Sequence, residues 1–508
     1  MGLKRNDRGS YDAGSNPWSG TFMMPIRNCL GAATAISLLH LGACANAQET
    51  APAAPARVIV LTDIEADPDD TQSLVRLLLY ANEIDIRGLV ATTSTFQKER
   101  TAPESIRAVV DAYGEVKENL DQHADGYPGA DALLAIIKSG LPVYGMNGVG
   151  AGMDSEGSDW IIRELEAEDE RPLWVSVWGG PNTLAQALFR IREAHTEDET
   201  NALVSRLRIY AISDQDDSGA WIRKEFPDLF YIVSPGGQGN ATWAAITKAQ
   251  PGYDAEISND WLARNIQRDH GPLGAAYPDV QYGMEGDTPS FLGLVSNGLN
   301  APEHPDWGGW GGRYELYVPD LAGTDPTGYN GGVPILQETR PIWTNAVDAY
   351  SPWQQNGEGE TVRRDDVTFR DNRVTVWRWL ADAQNDFAAR MDWTQQSFAD
   401  ANHPPDAHLV HPARFTVRSG QTFTLDGRES TDPDGDGLTY LWFNYPEAGS
   451  LDDEISVSPT APGEAIVTAP DVQRTETAHF ILRVTDDGGP PLSRYQRVIV
   501  SIEPAGAN

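Results

Sequence analysis

The sequence has few cysteines and few basic residues. Its 508 residues include two cysteines, Cys29 and Cys44, and both precede the main body of the chain. That body therefore has no thiol for a disulfide or for a cysteine-based metal site. Lys and Arg total 38 against 74 Asp and Glu, which gives a formal net charge of −36. Because this field repels phosphate backbones and anionic lipid, we expect no nucleic-acid partner and no membrane-surface partner.

Three common catalytic signatures are also missing. The chain has no G-x-S-x-G, no phosphate-binding Walker loop and no H-E-x-x-H. This argues against a serine enzyme of the α/β-hydrolase type, a P-loop NTPase and a zinc protease. The chain does have 40% hydrophobic residues and 15 tryptophans. At about 100–200 residues per domain, its length predicts two or three folded domains.

The amino-terminal segment has the features of an export signal. One positive charge precedes a mildly apolar run, Cys29–Ala43, which is too short to span a membrane as a mature helix. The run is followed by an A-x-A site at Ala45–Ala47, and it also fits a lipobox that ends at Cys44. We expect residues 1–47 to be a signal peptide or a lipoprotein signal, followed by an Ala/Pro-rich spacer at 48–56. The protein is then periplasmic or extracellular, either free or lipid-anchored through Cys44, with no transmembrane segment.

Residues 57–403 show the alternation of an α/β domain. Val58–Leu61 is typical of a buried strand, Thr71–Tyr80 has helical spacing, and Ile84–Thr92 is typical of a second strand. This is the βαβ pattern of a parallel sheet. Further predicted elements are the strands 173–177, 207–212 and 229–233 and the helices 183–193 and 374–391.

Residues 404–508 predict a separate all-β domain. Short strands alternate with Asp, Gly and Pro turns, as in a β-sandwich, at 415–425, 438–445, 464–469, 479–484 and 494–502. The segment 425–442 (LDGRESTDPDGDGLTYLW) resembles the signature of polycystic-kidney-disease (PKD) and cadherin-like repeats. This resemblance implies an immunoglobulin-like accessory module. The Pro404–Pro405 boundary predicts few contacts between the two domains.

Within that segment, three aspartates are spaced like the start of an EF-hand loop. They are Asp432, Asp434 and Asp436, but the twelfth position is Phe443 where an EF-hand needs glutamate. Because the flanking residues are also predicted strands, an EF-hand is excluded. A looser calcium site in this loop stays open.

Five carboxylates follow the first predicted strand of the α/β domain. Asp63, Glu65, Asp67, Asp69 and Asp70 lie within eight residues. The carboxyl ends of parallel strands form the ligand-binding edge of an open α/β sheet. Like charges this close need a cation or protons to neutralise them, and carboxylate oxygens suit calcium. The spacing alone leaves a second interpretation open, in which the acids are a solvated turn that caps the next helix.

This turn resembles the amino-terminal motif of nucleoside hydrolases, in which a strand ends in an aspartate cluster that chelates calcium. The resemblance implies that Asp63 is a calcium ligand and the general base, that Asp70 is a calcium ligand, and that Asp69 binds the substrate. A second register makes Glu65 the base and leaves the role of Asp70 unchanged. Leu61 stands where the family usually has an additional aspartate.

Two later segments extend the resemblance. Residues 174–185 (WVSVWGGPNTLA) are similar to the family's strand–turn–helix, which implies that the carbonyl of Trp178 is a calcium ligand. Residues 285–290 (EGDTPS) are similar to the segment that supplies the last aspartate ligand, here Asp287. Gly286 stands where the family commonly has a histidine that acts on the leaving base. This departure argues against a nucleoside substrate.

The resemblance is closest to a secreted branch of this superfamily whose members are called cellulose-binding proteins. It is carried by the segments 62–80, 213–235, 270–275, 283–291 and 307–314, and with the sandwich it covers most of the mature chain. It implies a mostly parallel sheet with flanking helices, calcium as the cofactor, and a polysaccharide or oligosaccharide as the partner.

Other candidates come from position and residue type. Asp214, Asp216 and Asp217 follow a predicted strand, so we expect them to bind sugar hydroxyls; their alternative role is to cap the next helix. Trp307 and Trp310 are followed by glycines, which favours an exposed loop whose rings stack on a sugar.

Two side chains are candidates for the acid that protonates the leaving group. His270 precedes a Gly-Pro pair, and Glu285 follows Tyr282–Met284, which could raise its pKa by desolvation. Both assignments compete with a purely structural role.

Two classes of function fit these observations. The first is an exported, calcium-dependent glycoside hydrolase that cleaves an O-linked sugar, with furanosides included, from a polysaccharide or oligosaccharide. The alternative is a non-catalytic protein that binds a cellulose-like polysaccharide. A true nucleoside N-ribohydrolase comes third.

Overall fold

The computed structural model describes residues 54–235, 241–247, 254–324, 329–330, 333–334, 336–355, 361–364, 366–451 and 453–506. The predicted signal, residues 1–47, and most of the spacer after it lie outside these residues. The chain from Ala54 onward forms one compact unit. Among the described residues, no helix is both long and apolar enough to cross a membrane.

The strands are numbered in chain order. They are β1 (Ala56–Thr62), β2 (Ile84–Ala91), β3 (Ile137–Ser139), β4 (Leu173–Val177), β5 (Leu207–Ala211), β6 (Phe230–Val233), β7 (Tyr314–Tyr317), β8 (Tyr329–Asn330), β9 (Val333–Pro334), β10 (Ile342–Asn345), β11 (Asp348–Tyr350), β12 (Trp353–Gln355), β13 (Thr361–Arg363), β14 (Phe369–Asp371), β15 (Arg414–Arg418), β16 (Thr422–Asp426), β17 (Thr439–Asn444), β18 (Val457–Ala461), β19 (Glu464–Thr468), β20 (Glu476–Thr485) and β21 (Ser493–Glu503).

The α-helices are numbered in the same way. They are α1 (Asp69–Leu79), α2 (Pro103–Leu120), α3 (Ala130–Ala135), α4 (Glu156–Glu166), α5 (Asn182–Ala194), α6 (Glu197–Val204), α7 (Ser218–Glu225), α8 (Ala244–Thr247), α9 (Asn259–Leu262), α10 (Gly271–Ala276), α11 (Pro289–Leu292), α12 (Leu321–Thr324), α13 (Val374–Trp377) and α14 (Leu380–Asp392).

An eight-stranded sheet forms the centre of the α/β part, in the order β3-β2-β1-β4-β5-β6-β10-β7. Its described strand pairs are parallel except for β10 and β7, which are antiparallel. The strands β1 and β4 are buried almost throughout, as expected when helices cover both faces of a parallel sheet. The predicted mostly parallel sheet with flanking helices is confirmed.

Alternate residues of β1 enter two different cores. Val58 and Val60 pack with the apolar faces of α1 and α2, whereas Ile59 and Leu61 pack with α4 and α5. This burial fixes the register of β1, because a shift of one residue would exchange the two sets. It also fixes where β1 ends, and the acidic turn begins at that end.

The C-terminal part is all-β, as predicted. One sheet has the order β15-β21-β20-β17 and the other β16-β19-β18, and both contribute to an apolar core that includes Trp442 and Phe480. The predicted strand 415–425 is two strands, because a turn at Gly420 with φ 77° sends β15 and β16 into different sheets. The sequence did not predict β18, which is mostly exposed and contains Pro459, as is typical of an edge strand.

The predicted helix 374–391 is also two helices, α13 and α14. The interruption falls at Arg378 and Trp379, whose side chains pack on Tyr445 of the C-terminal part. Trp377 and Trp379 are both buried in the apolar core.

The two parts share an extensive interface, so the expectation of few contacts between them was wrong. The hydroxyl of Tyr445 donates a 2.6 Å hydrogen bond to Asp348. The guanidinium of Arg497 donates to the carbonyls of Leu299 and Gly308, each at 2.8 Å. Both side chains are buried and bind polar groups of the α/β part. The domain boundary at 404 itself stays a prediction.

Candidate functional site

The acidic turn lies at the carboxyl end of β1, between this strand and α1. Asp63 directly follows β1 and is only 3% exposed. Burial raises the pKa of Asp63 to about 7, and a hydrogen bond from Ser94 opposes part of this effect. Its carboxylate lies against Gly179, where a Cβ would be 2.7 Å from Oδ1. The Gly179–Gly180 turn after β4 therefore leaves the space that the Asp63 side chain occupies.

Three further carboxylates come from the same turn and the first turn of α1. The nearest oxygens of Asp67, Asp69 and Asp70 all lie within 4.8 Å of one another. Burial, and then the charge of Asp63, raises the pKa of Asp70 well above its usual range. Burial and hydrogen bonding with Asp67 do the same for the pKa of Asp69. The hydroxyl of Thr62 donates to Asp70 and so holds it toward the end of β1.

Asp287 reaches the cluster from a distant part of the chain. It is 2% exposed, and its Oδ2 has no hydrogen-bond partner among the described residues. Burial, and then the charges of Asp69, Asp70 and Asp63, raises the pKa of Asp287 well above its usual range. The structure thus brings Asp287 close enough to Asp69, Asp70 and Asp63 for their charges to act on it.

The segment that carries Asp287 is held by a buried ion pair. Glu285 has a left-handed backbone with φ 46°, a conformation that costs energy in a residue other than glycine. Its carboxylate binds the guanidinium of Arg76 at 2.7 Å and the hydroxyl of Tyr277 at 2.7 Å. Its backbone N–H donates to the side chain of Gln72 at 3.0 Å. Since Arg76 and Gln72 belong to α1, these contacts tie Asp287 to the helix that carries Asp70.

The donor atoms of this cluster are suitable for a hard cation. Asp63, Asp67, Asp69, Asp70 and Asp287 offer only carboxylate oxygens, the ligands that calcium prefers. Several like charges with little solvent also need a counter-charge. In the described part of the chain, the Oδ2 of Asp287 has no hydrogen-bond donor. Asp67 was not predicted as a ligand, although the Asp-Pro-Asp-Asp sequence was a local signal for it.

The backbone carbonyl of Trp178, which was predicted to bind calcium, already accepts one hydrogen bond. Its backbone oxygen accepts a hydrogen bond from the side chain of Gln215, and its N–H donates to the carbonyl of Leu61 at 2.8 Å. A carbonyl oxygen has two lone pairs, so this hydrogen bond leaves one for another ligand.

A small cavity opens beside the carboxylates. It has a volume of about 130 Å³ and is lined by Asp67, Asp69, Trp243, Thr247 and Tyr282, among others. The Tyr282 side chain is 74% exposed. Aromatic rings beside carboxylates can stack on a sugar while the carboxylates accept its hydroxyl protons. No pattern in the sequence identified Trp243 or Tyr282 as part of this site.

The three aspartates after β5 have different environments. Asp214 forms a two-point ion pair with Arg223, at 2.9 and 2.8 Å, so its carboxylate has a structural role in place of the predicted sugar contact. Asp217 accepts from the backbone N–H of Met146 at 2.8 Å. Asp216 is fully buried, its Oδ2 has no partner among the described residues, and burial raises its pKa to about 7.

The two tryptophans predicted to stack on sugar were assigned wrongly. Trp310 is 1% exposed and packs edge-on against Tyr495. Trp307 stacks on His304 at 3.7 Å and meets His479 of the C-terminal part. The glycines beside them, Gly308 and Gly309, allow close packing and are buried, so they do not mark an exposed loop.

The two predicted proton donors were also assigned wrongly. Glu285 is fully buried and both its carboxylate oxygens are occupied, by Arg76 and Tyr277. His270 binds Asp392 at 3.0 Å, at the end of α14. In the described part of the chain, the ring of His270 forms no hydrogen bond with the carboxylate cluster.

The alternative base, Glu65, lies outside the cluster. Its carboxylate pairs with Arg100 at 2.6 Å and is 40% exposed. The hydroxyl of Ser105 also donates to it. Asp63 and Glu65 are thus separated by environment, the first inside the cluster and the second at the surface.

Comparison with known proteins identifies both parts of the chain. A family model described as cellulose-binding Sde182, nucleoside hydrolase-like domain, matches residues 57–314. A second, described as cellulose-binding protein Sde0182, C-terminal domain, matches residues 422–502. The search of curated proteins found no match.

One solved structure is similar along nearly the whole chain. It is a nucleoside hydrolase-related hypothetical protein from Saccharophagus degradans that is associated with carbohydrate metabolism. The two are 34% identical with a TM-score of 0.74, over 88% of this chain and 100% of the other. A PKD domain from the KIAA 1837 protein is 25% identical over 19% of this chain and 84% of its own. The TM-score for this pair is only 0.14. The resemblance to PKD domains therefore rests on sequence alone.

Proposed function

The chain belongs to the cellulose-binding Sde182 family with a nucleoside hydrolase-like domain, and on that premise we propose that it is an exported, calcium-dependent glycoside hydrolase. Its substrate would be an O-linked sugar of a polysaccharide or oligosaccharide, and furanosides are the first class to test. The observation that carries this proposal is the group of buried carboxylates Asp63, Asp70 and Asp287. Burial and mutual repulsion raise the pKa of each, a pattern that is common at catalytic sites.

Each carboxylate has a proposed role. Asp63, Asp70, Asp287 and the carbonyl of Trp178 would hold calcium, with Asp67 as an added oxygen donor near Asp70. When bound, calcium would supply positive charge beside two vicinal sugar hydroxyls and a water molecule. Asp63 would accept the proton of that water as the anomeric carbon gains oxocarbenium character. Its place in the cluster supports it as the base over Glu65, which is paired with Arg100.

Asp69 and the cavity beside it would position the sugar. One oxygen of Asp69 accepts from the backbone N–H of Gly286 at 3.2 Å, so the carboxylate is oriented before substrate binds. Trp243 and Tyr282 line the same cavity and offer flat apolar faces for the ring. Binding energy from these contacts would place the anomeric carbon next to Asp63.

The leaving group receives no proton from the two residues that the sequence suggested. Glu285 is held by Arg76, and His270 is held by Asp392. Gly286 also replaces the histidine that the nucleoside hydrolase resemblance would provide. We therefore expect hydrolysis to be fastest for aryl glycosides, whose leaving groups need little protonation.

The alternative is that the protein binds carbohydrate without cleaving it. The family description favours binding, and an aromatic cavity with oriented carboxylates would serve that purpose equally well. The discriminating experiment is sugar release from nitrophenyl furanosides and pyranosides, with nucleosides in the same panel, in calcium or in chelator. Binding to cellulose is measured on the same samples.

Two variants sharpen this comparison. Asp63→Asn should abolish sugar release, whereas Glu65→Gln, the matched control, should keep both sugar release and carbohydrate binding. Loss of release only in Glu65→Gln would assign the base to Glu65. Binding by the wild type with no release from any substrate would favour the non-catalytic function and reject the hydrolase.

A further inference from the structure

Two histidines from distant parts of the chain lie ring against ring where the α/β part meets the C-terminal part. His123 follows α2, and His403 lies in the connection between α14 and β15. They are 9% and 4% exposed. Nδ1 of His123 is 2.9 Å from Nε2 of His403, which is hydrogen-bond distance. One of these two nitrogens must therefore carry a hydrogen and the other a lone pair.

Each ring also has a partner on its outer side. Nδ1 of His403 is 3.0 Å from the carboxylate of Asp434, in the connection between β16 and β17. Nε2 of His123 is 3.0 Å from the backbone carbonyl of Gln396. The three contacts form one chain of hydrogen bonds, which runs from the carboxylate through both rings to the carbonyl. This chain joins the end of α2, the α14–β15 connection and a loop of the sandwich.

The hydrogen-bond chain needs one hydrogen more than its groups carry in their usual states above neutral pH. A carboxylate and a carbonyl only accept hydrogen bonds, so three contacts between them require three hydrogens. Two neutral histidines supply two of these. Without the third hydrogen, one of the three contacts brings two acceptors together inside the protein, which is costly.

The surroundings place the third hydrogen at His403. Burial lowers the pKa of His123, although its hydrogen bond with Gln396 opposes part of this effect, so His123 is the neutral ring. The ring of His403 lies against the Asp434 carboxylate and stacks on Phe398, with the ring centres 3.9 Å apart. An anion and an aromatic face both stabilise a cation. An imidazolium at His403 donates to Asp434 and to His123, and neutral His123 then donates to Gln396.

The charged side chains of the segments that meet around the two rings are mainly acidic. They are Lys117, Asp121 and Asp125 at the end of α2, Asp392 and Asp400 beside the connection, and Asp432, Asp434, Asp436, Asp486 and Asp487 on two sandwich loops. The guanidinium of Arg390 lies 5.1 Å over the ring of Trp393, which stacks on His123. This cation is itself paired with Glu83 and Asp386. The surplus of negative charge favours a proton bound between the rings.

We propose that Asp434, His403 and His123 form a pH-sensitive clamp that tightens the joint between the two parts while it holds its third hydrogen. When this hydrogen is lost, His123 must donate to His403, and its contact with Gln396 becomes acceptor against acceptor. The side chain of Asn119 still donates to the carbonyl of Gln396 at 2.7 Å, so the connection loosens and does not detach. Unfolded histidine titrates near about pH 6.5, so the clamp stabilises the protein below this pH and loses its effect as the pH rises further.

The direct test is nitrogen NMR of the full chain with labelled histidine rings, between pH 6 and pH 9. Chelator is present throughout, so that calcium binding does not add to the pH dependence. At pH 6 the His403 ring should be charged and the His123 ring neutral, and at pH 9 both should be neutral. Asp434→Asn should lower the midpoint of this change by one pH unit or more. Two neutral rings at pH 6, or no change up to pH 9, would overturn the proposal.

The effect on the joint is measured by urea unfolding of the wild type and His123→Phe, which also assigns the NMR signal. Phenylalanine keeps a ring beside Trp393, whose centre is 5.3 Å from that of His123, but it removes both hydrogen bonds. The loss of stability should be at least twofold larger at pH 6 than at pH 9. The control is His408→Gln, an exposed histidine of the same connection, which should give equal, small changes at both pH values. Equal losses in His123→Phe would mean that the contact is structural only and would reject the clamp. If this variant does not fold, the wild-type NMR titration decides.

Discussion

The affinity for calcium at the α/β carboxylate cluster should fall steeply as the pH is lowered from 8 to 6. A cation must displace the protons that the raised pKa values retain on the ligands. Burial raises the pKa of Asp63 to about 7 in the metal-free protein. At pH 8 about nine-tenths of this group would be ionised, and at pH 6 about one-tenth. From Asp63 alone, the affinity should therefore drop about tenfold.

The other ligands make the dependence steeper. Burial also raises the pKa of Asp70 and Asp287 well above its usual range. If binding also displaces one further proton throughout this range, that proton alone is worth about 100-fold over two pH units, and the total loss would approach about 1,000-fold. The loss of affinity at low pH follows from the raised pKa values. Carboxylates with ordinary pKa values would already be ionised at pH 6, and the calcium affinity would then not depend on pH in this range.

The assay is calorimetry at pH 6, 7 and 8 in two buffers of different ionisation enthalpy. At pH 7, proton release of about half a proton or more per calcium is expected. Introducing Asp63→Asn should remove the tenfold contribution of Asp63 to this pH dependence. A change in affinity below twofold, with no proton release, would refute the assignment of these buried carboxylates as ligands.

Three further predictions follow from the same contacts. In the chelated protein, the free energy of unfolding measured in urea should rise as the pH falls from 7 to 4. The reason is that the pKa of Asp63 is raised from 3.8 to about 7 in the folded state, which corresponds to about 4 kcal/mol. A free energy of unfolding that does not change with pH would contradict this. Arg76→Met leaves a buried carboxylate unpaired and should cost about 3–5 kcal/mol, whereas a loss below 1 kcal/mol would show that the ion pair is dispensable. Trp243→Ala and Tyr282→Ala should each weaken carbohydrate binding about fivefold without lowering the melting temperature, and Phe96→Ala, an exposed residue outside the cavity, should have no effect.

The sequence could predict the parts of the fold that depend on local pattern. The apolar run of β1 and the helical spacing of α1 are both read within about ten residues, and the structure has them within two residues of the predicted bounds. Asp63 and Asp70 lie close together because a short turn joins the end of β1, which Asp63 follows, to the start of α1, which contains Asp70. Asp287 was identified by resemblance, because nothing in its local pattern shows which strand end it meets.

What the sequence could not predict depends on pairing over long distances. Glu285 was a candidate acid because its neighbours are apolar, but its partner Arg76 is 209 residues away. Trp307 and Trp310 were misassigned for the same reason. Glycines beside an aromatic residue occur both in exposed loops and in closely packed interfaces. Only the position of the C-terminal part decides between these, since Trp310 packs on Tyr495 of that part.

The C-terminal part therefore supports the candidate site, although none of its described residues belongs to that site. Tyr495 and Arg494 of β21 donate to the carboxylates of Asp382 and Asp386 on α14. The same helix supplies the side chain of Gln384 and the carbonyl of Ala383, which accept from Arg76 at 2.8 and 2.7 Å. Arg76 in turn holds Glu285, two residues before Asp287. An accessory module joined by a flexible linker would leave α14 exposed on this face, whereas here its buried acids are satisfied by basic and tyrosine side chains of the sandwich. The position of Asp287 thus rests on contacts from both parts of the chain.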